Sequence, residues 1–279
     1  QNLGFSFNKS NSKVTVPTWR QHDIKTLSGL SEEIARIKGY DNINETLPTK
    51  HIPLDKQSLL SKLNQHCENT FVYAGYSQTT TFPMISEKSI TQCHFKINSE
   101  LKLKNPLTPE EAVMRPSLLP SLLKVMTYNN NRQQQNLKLF EIGKTFAFDT
   151  SKKEPVETIQ LTALVTGQIN DQLFRKSDQE KNNITMGYLK SLMTTILSHF
   201  PSPNITESSL KKDYSHPTKA LSFNLNGTSV GECGFIHPSV AQDYDINDDI
   251  GYIQINLTTL SSVKETPIIY TDIPKFPST

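Results

Sequence analysis

Any chemistry in this 279-residue chain has to be built from few parts. The arginines number only five: Arg20, Arg36, Arg115, Arg132 and Arg175. A guanidinium grips a carboxylate or phosphate through two parallel hydrogen bonds, which a lysine cannot do. No guanidinium follows Arg175. Two His-Pro pairs, His216-Pro217 and His237-Pro238, carry side chains suited to metal binding or acid–base work. Proline steers the residue before it away from helix, so both pairs read better as turn formers that fix strand ends. Cys67, Cys93 and Cys233 are odd in number and far apart, with no Cys-x-x-Cys spacing. That argues against a disulfide framework or a thiolate zinc site and fits a reducing cytoplasm. Glu32 and Glu33 are expected in the first turn of a helix, where the dipole favours negative charge, with Arg36 in reach at helical spacing. No Ser-His-Asp or Cys-His arrangement has motif support, and no Gly-x-x-x-x-Gly-Lys-Ser/Thr loop occurs.

The elements that must hold these residues follow from periodicity. Residues 5–16 suggest a short hairpin ended by Pro17. Leu30, Glu33-Ile34 and Ile37 have helical spacing, with Gly39 as the stop, and Trp19 is expected to anchor this helix to the small module around it. The Pro48–Pro53 stretch reads as a hinge and puts a boundary near 47. A long amphipathic helix is expected from Leu54 to Tyr73, with Leu59, Leu60, Leu63, Cys67 and Phe71 on one face. Thr79–Phe82 reads as a strand, and 118–130 and 184–199 as further helices. Strands are expected over Leu137–Phe148, Thr158–Thr166 and Ile250–Leu257, with a hairpin turning at Asn226-Gly227. Helices beside long, hairpin-joined strands imply an α+β domain on a largely antiparallel sheet.

Composition narrows the class. At 35% hydrophobic and 20% charged the chain is ordinary globular material, and no apolar run approaches a membrane span. A formal net charge of +2 without a basic block leaves no electrostatic footprint for nucleic acid. The first residue is Gln and no signal-peptide pattern follows, so the chain is expected to be a piece of something longer.

Four stretches carry a joint signal. They are Val16-Pro17-Thr18-Trp19-Arg20 with Asp23-Ile24 and residues 32–43; Asn105-Pro106-Leu107 with residues 114–123; residues 139–146; and His216-Pro217 followed by Gly227, Gly231, Gly234 and His237-Pro238. Residues 270–278 extend the match. In order and spacing the set resembles the beta-subunit family of phenylalanine–tRNA ligase. The resemblance implies that residues 1–47 end a small winged-helix-like module and that 48–272 form a class II aminoacyl-tRNA synthetase-like domain. Residues 273–279 would begin the linker to a C-terminal tRNA-binding domain, and the editing domain would lie outside this sequence. It further implies an alpha-subunit partner in a cytoplasmic heterotetramer of two alpha and two beta chains, which attaches phenylalanine to tRNA(Phe) with ATP and without a membrane.

By the same resemblance, the strand through Phe146 has the cadence of class II motif 2, where Phe-Arg-x-Glu presents an ATP-binding arginine. Here Ala147 stands for the Arg and Asp149 for the Glu, and the arginine of motif 3 has no counterpart after Arg175. One such donor is worth about 3–4 kcal/mol of transition-state stabilisation. The fragment is therefore expected not to activate an amino acid; no catalytic residue is assigned, and ATP would bind only in the alpha subunit. Asp23, Glu32 and Glu33 correspond to Mg²⁺ ligands in the family, at a site near the alpha subunit, and hard carboxylate oxygens suit that ion. Glu32 and Glu33 diverge by about 100° around a helix, so both can bind only an ion at its edge. The family's further Asp, six residues after the first, is Gly29 here, and the Trp19–Asp23 stretch carries one residue more than the usual Trp-Arg-x-Asp.

Three questions stay open at this level. The helical stripes at 54–73 and 118–130 could face a partner or the core. Arg115 could bind a partner carboxylate or its own domain. The chain could instead be a free-standing RNA-binding or scaffold protein, which would need a basic surface with exposed aromatics, or an independent enzyme, which would need phosphate-clamping arginines.

Overall fold

The computed structural model describes residues 3–47, 49, 56–169, 183–198, 200 and 204–263. The expected hinge at Pro48–Pro53 (apart from Thr49), Leu54 and Asp55, Arg175 and the expected linker at 273–279 lie outside these residues. The chain divides into two compact units, 1–55 and 56–279.

In the first unit, β1 (Ser6–Asn8) pairs antiparallel with β2 (Lys13–Thr15), Phe7 opposite Val14, as the alternation predicts. α1 (Leu27–Lys38) starts three residues before its apolar periodicity does. Its cap is Thr26, whose hydroxyl accepts from the Gly29 amide, and Leu27 is exposed and adds nothing to the stripe. Glu32 and Glu33 consequently stand in the second turn, not in the first turn as expected. Gly39 ends the helix at φ 85°. Trp19 does not anchor this helix: it is 66% exposed and lies against Gly4.

The second unit opens with α2 (Leu59–Tyr73). It begins five residues later than expected because the Ser58 hydroxyl caps it by accepting from the Ser61 amide. There follow β3 (Ser77–Gln78), β4 (Met84–Ile85), α3 (Glu87–Gln92), β5 (Val113–Met114) and α4 (Leu119–Asn130). The chain continues through β6 (Leu137–Asp149), β7 (Glu154–Thr166), α5 (Met186–Leu197), β8 (Ile205–Ser209) and β9 (Ser215–Leu225). It ends in β10 (Thr228–Ile236), α6 (Pro238–Asp243), β11 (Ile250–Asn256) and α7 (Leu257–Ser262). Thr79–Phe82 is not a strand: after the Thr79 amide bonds the Phe140 carbonyl, the chain leaves the sheet and Thr81 turns toward Glu141.

The main sheet has the order β3-β6-β7-β11-β10-β9-β8 and is antiparallel except for the β3–β6 pair. Pro155 is tolerated in β7 because the ladder to β11 starts only at Gln160, leaving that edge open where proline lacks its N–H. Asn226 and Gly227, at φ 52° and 81°, make the left-handed two-residue turn that matches the twist of β9 and β10.

Two apolar layers cover the sheet. On one face Leu63 and Phe71 of α2, Met193 and Ile196 of α5 and Leu260 of α7 pack on Phe140, Leu161 and Ile253. On the other, Leu119, Leu122 and Met126 of α4 and Val240 of α6 pack on Leu139, Leu164 and Tyr252. The stripes of α2 and α4 are therefore core. Each fully buried leucine contributes about 1.5–3 kcal/mol. No described helix is long and apolar enough to cross a membrane.

Candidate functional site

On the α4 side the central strands carry polar side chains in one row. Ser222 lies opposite Glu232, Glu232 opposite Gln254, Gln254 opposite Thr162, and Thr162 opposite Glu141. Side chains alternate along a strand, so the row shares its face with Leu139, Leu164 and Tyr252. Glu141, Thr162, Glu232 and Gln254 are all buried.

Buried polar groups demand partners. At one end, Arg115 enters from the loop before α4. Its Nη1 lies 2.9 Å from Glu141 Oε1, with the side chains only 3% and 2% exposed. Its Nε donates to the Lys144 carbonyl at 2.9 Å and Nη1 to Thr81 Oγ1 at 2.7 Å, while Thr81 Oγ1 donates to Glu141 Oε2 at 2.7 Å. A Cβ at residue 143 would fall 2.5 Å from Arg115 Nη2, so Gly143 is what makes room for the guanidinium. Arg115 thus binds its own domain.

At the other end, the Tyr214 hydroxyl donates to Glu232 Oε1, and Lys212 Nζ sits 2.6 Å from Glu232 Oε2. Burial, reinforced by the charge of Glu232, pushes the Tyr214 phenol upward, so it stays protonated. Gln254 Nε2 donates to Ser117 Oγ at 2.9 Å. Among the described residues, Thr162 Oγ1 finds no partner. Composition did not point to Thr162, Glu232 or Gln254. The available signal was a polar residue inside an apolar strand, as with Gln254 between Ile253 and Ile255.

The positions expected to matter for ATP sit further along β6. Ala147 is exposed and opposite Val156. Asp149 Oδ1 accepts from the hydroxyl and amide of Ser151, which hold its carboxyl below the usual range and close the turn into β7. Every described arginine is engaged. Arg132, the one without a carboxylate, stacks 3.5 Å from the Tyr128 ring centroid and donates to the Tyr128 carbonyl.

In the first unit, the structure brings Asp23 and Glu33 together through Arg20. Arg20 Nη2 lies 2.6 Å from Asp23 Oδ2 and 2.8 Å from Glu33 Oε1. Arg36 Nη2 lies 2.6 Å from Glu33 Oε2. The Arg20 hydrogen bond above all, and then that of Arg36, hold the Glu33 carboxyl below its ordinary value. Glu32 is exposed. Among the described residues, no group of three or more His, Cys, Asp or Glu side chains is placed to hold a metal ion. As it stands, this donor set does not fit Mg²⁺: Asp23 Oδ2 and both Glu33 oxygens already accept from guanidiniums.

The His-Pro pairs have local work. His216 lies in β9, where its Nδ1 accepts from the Thr218 amide. His237 departs from a pure turn role: it caps α6, accepting from the Ser239 amide, because proline is well suited to the first helical position.

The comparisons agree across the chain. A family model described as phenylalanyl tRNA synthetase beta chain CLM domain matches residues 43–257. The phenylalanine–tRNA ligase beta subunit of Bacillus subtilis (strain 168) is 31% identical over 286 aligned residues, covering 99% of this chain and 34% of the relative. That of Geobacter sulfurreducens is 28% identical, covering 95% and 33%, and that of Streptococcus agalactiae serotype V is 27% identical, covering 100% and 35%. The chain spans about a third of the length of these curated relatives. With the family model matched over most of its length, the chain belongs to the phenylalanyl tRNA synthetase beta chain CLM domain family.

Proposed function

We propose that this chain is the non-catalytic, class II synthetase-like part of a phenylalanine–tRNA ligase beta subunit, serving as a rigid scaffold for an alpha subunit. One observation carries the reading. Where motif 2 would present an arginine to ATP, β6 offers Ala147, and Arg115, which lies against the same strand, is locked in a buried pair with Glu141. A charge-stabilising donor that is already paired and buried cannot meet charge developing on phosphate.

Residues 1–47 then belong to a winged-helix-like module, 48–272 to the class II-like domain and 273–279 to a linker toward a tRNA-binding domain. The alpha subunit binds ATP and phenylalanine in a cytoplasmic heterotetramer of two alpha and two beta chains, and the holoenzyme binds tRNA(Phe). Val72 and Tyr73, adjacent and exposed at the C-terminal end of α2, support a contact there, since the apolar stripe of that helix is core. Light scattering on the chain mixed with the alpha subunit of the same source should show a stoichiometric complex. Separate elution at micromolar concentration would refute the scaffold, and saturable ATP binding by this chain alone would refute its non-catalytic character.

A further inference from the structure

We infer that in this chain guanidinium takes the place of a divalent ion between Asp23 and Glu33, so that the 1–55 unit holds its shape without Mg²⁺. The geometry is that of a closed latch. Asp23 Oδ2 accepts from both Nε and Nη2 of Arg20, at 2.8 and 2.6 Å. The same Nη2 reaches Glu33 Oε1 at 2.8 Å, and Arg36 takes Glu33 Oε2 at 2.6 Å. Two anions and two cations leave no net charge to attract a dication. The Glu33 side chain is only 11% exposed, so on its side few open directions remain for the waters that Mg²⁺ retains; Asp23, 47% exposed, is the open side, and there Arg20 already fills the position between the two carboxylates.

The donor count points the same way. Mg²⁺ demands a near-octahedral oxygen shell at about 2.0–2.1 Å. The network supplies two carboxylates; Glu32 is exposed, and residue 29 is a glycine with no side-chain oxygen. An entering ion would have to expel Arg20 from Asp23 and Glu33 together, leaving a guanidinium beside a dication.

The chain carries its own reporter. Trp19 is its single tryptophan, the sequence neighbour of Arg20, and 66% exposed. The test is a titration of the full chain with Mn²⁺, a paramagnetic stand-in for Mg²⁺, followed by Trp19 fluorescence, together with thermal melts on the same signal in EDTA and in millimolar Mg²⁺. The expected result is unsaturable quenching by Mn²⁺ and coincident melts. Arg20→Met, melted in EDTA, should lower the Trp19 midpoint because Asp23 and Glu33 lose their shared cation. Saturable quenching of Trp19 by Mn²⁺ in the unaltered chain, or a melt raised in Mg²⁺ over EDTA, would overturn the inference. So would an unchanged midpoint in Arg20→Met. The unaltered chain decides the metal question by itself, so the inference stays testable even if the variant does not fold.

Discussion

Arg115 and Glu141 form a buried ion pair whose behaviour can be worked out before it is measured. Replacing Arg115 with Met removes the cation and leaves Glu141, 2% exposed, with Thr81 as its remaining donor. Breaking a buried pair from one side costs roughly 3–5 kcal/mol. The retained Thr81 hydroxyl puts the expected loss near the lower end, about 3 kcal/mol. For a domain of this size that corresponds to a fall in Tm of roughly 6–12 °C. Urea unfolding followed by circular dichroism gives the free energy directly. Converting the partner as well, Arg115→Met with Glu141→Leu, should recover most of the loss, because two apolar side chains leave no uncompensated charge. Gly143→Ala supplies an independent check. In the unaltered chain its Cβ would press 2.5 Å from Arg115 Nη2, and that clash should largely vanish in the Arg115→Met background. If the double variant is less stable than Arg115→Met alone, or if Gly143→Ala costs the same in both backgrounds, the pair does not work as described.

Leu122→Ala, in the fully buried layer between α4 and the sheet, should cost about 2–5 kcal/mol by chemical denaturation. A cost below 1 kcal/mol, about what an exposed site would show, would place α4 outside the core. The Glu33 carboxyl lies below its ordinary value of 4.5 in the folded chain, so its contribution is present above that pH and drains away as pH falls through the lower folded value. Trp19 melts should therefore weaken in acid, and Glu33→Gln should flatten that dependence. Burial pushes the thiols of Cys67, Cys93 and Cys233 up to about 12, so iodoacetamide at pH 8 should label them only slowly until urea opens the fold. Rapid labelling of the folded chain would contradict the burial assigned to them.

What could be read from the residues, and what could not, divides along physical lines. The long strands, the Asn226-Gly227 turn and the helices α1, α4 and α5 each contain enough residues for their periodicity to be seen. The six-residue helices α3, α6 and α7 do not, being under two turns long. Spacing alone starts α2 too early, because Leu54 continues the apolar pattern past the cap that Ser58 provides. Thr79–Phe82 has strand-like composition, yet its hydroxyls and amides are claimed by Phe140 and Glu141, contacts more than fifty residues away that no local pattern reveals. The polar row was hidden for the same reason: Glu141, Thr162, Gln254 and Glu232 lie on four strands, and only register makes them neighbours. Arg115 was open between partner and self until Gly143 showed the space reserved for it. The resemblance marks Asp23, Glu32 and Glu33 as ligands, but the reach of Arg20 across thirteen positions to Glu33 is not legible in the sequence.

The polar row also works as an alignment key for the sheet. Shifting one central strand by a single residue would turn its whole face over. Glu141, Gln254 or Glu232 would then swing into the layer of Phe140, Leu161 and Ile253 under α2 and α5, where no Arg115, Ser117 or Lys212 waits. An unpartnered carboxylate in such surroundings is costly enough to disfavour a slipped pairing. β-Sheets with uniformly apolar faces lack this safeguard, because one hydrophobic register resembles the next. In this sheet Glu141 and Glu232, each with its own buried partners, count the strands into place.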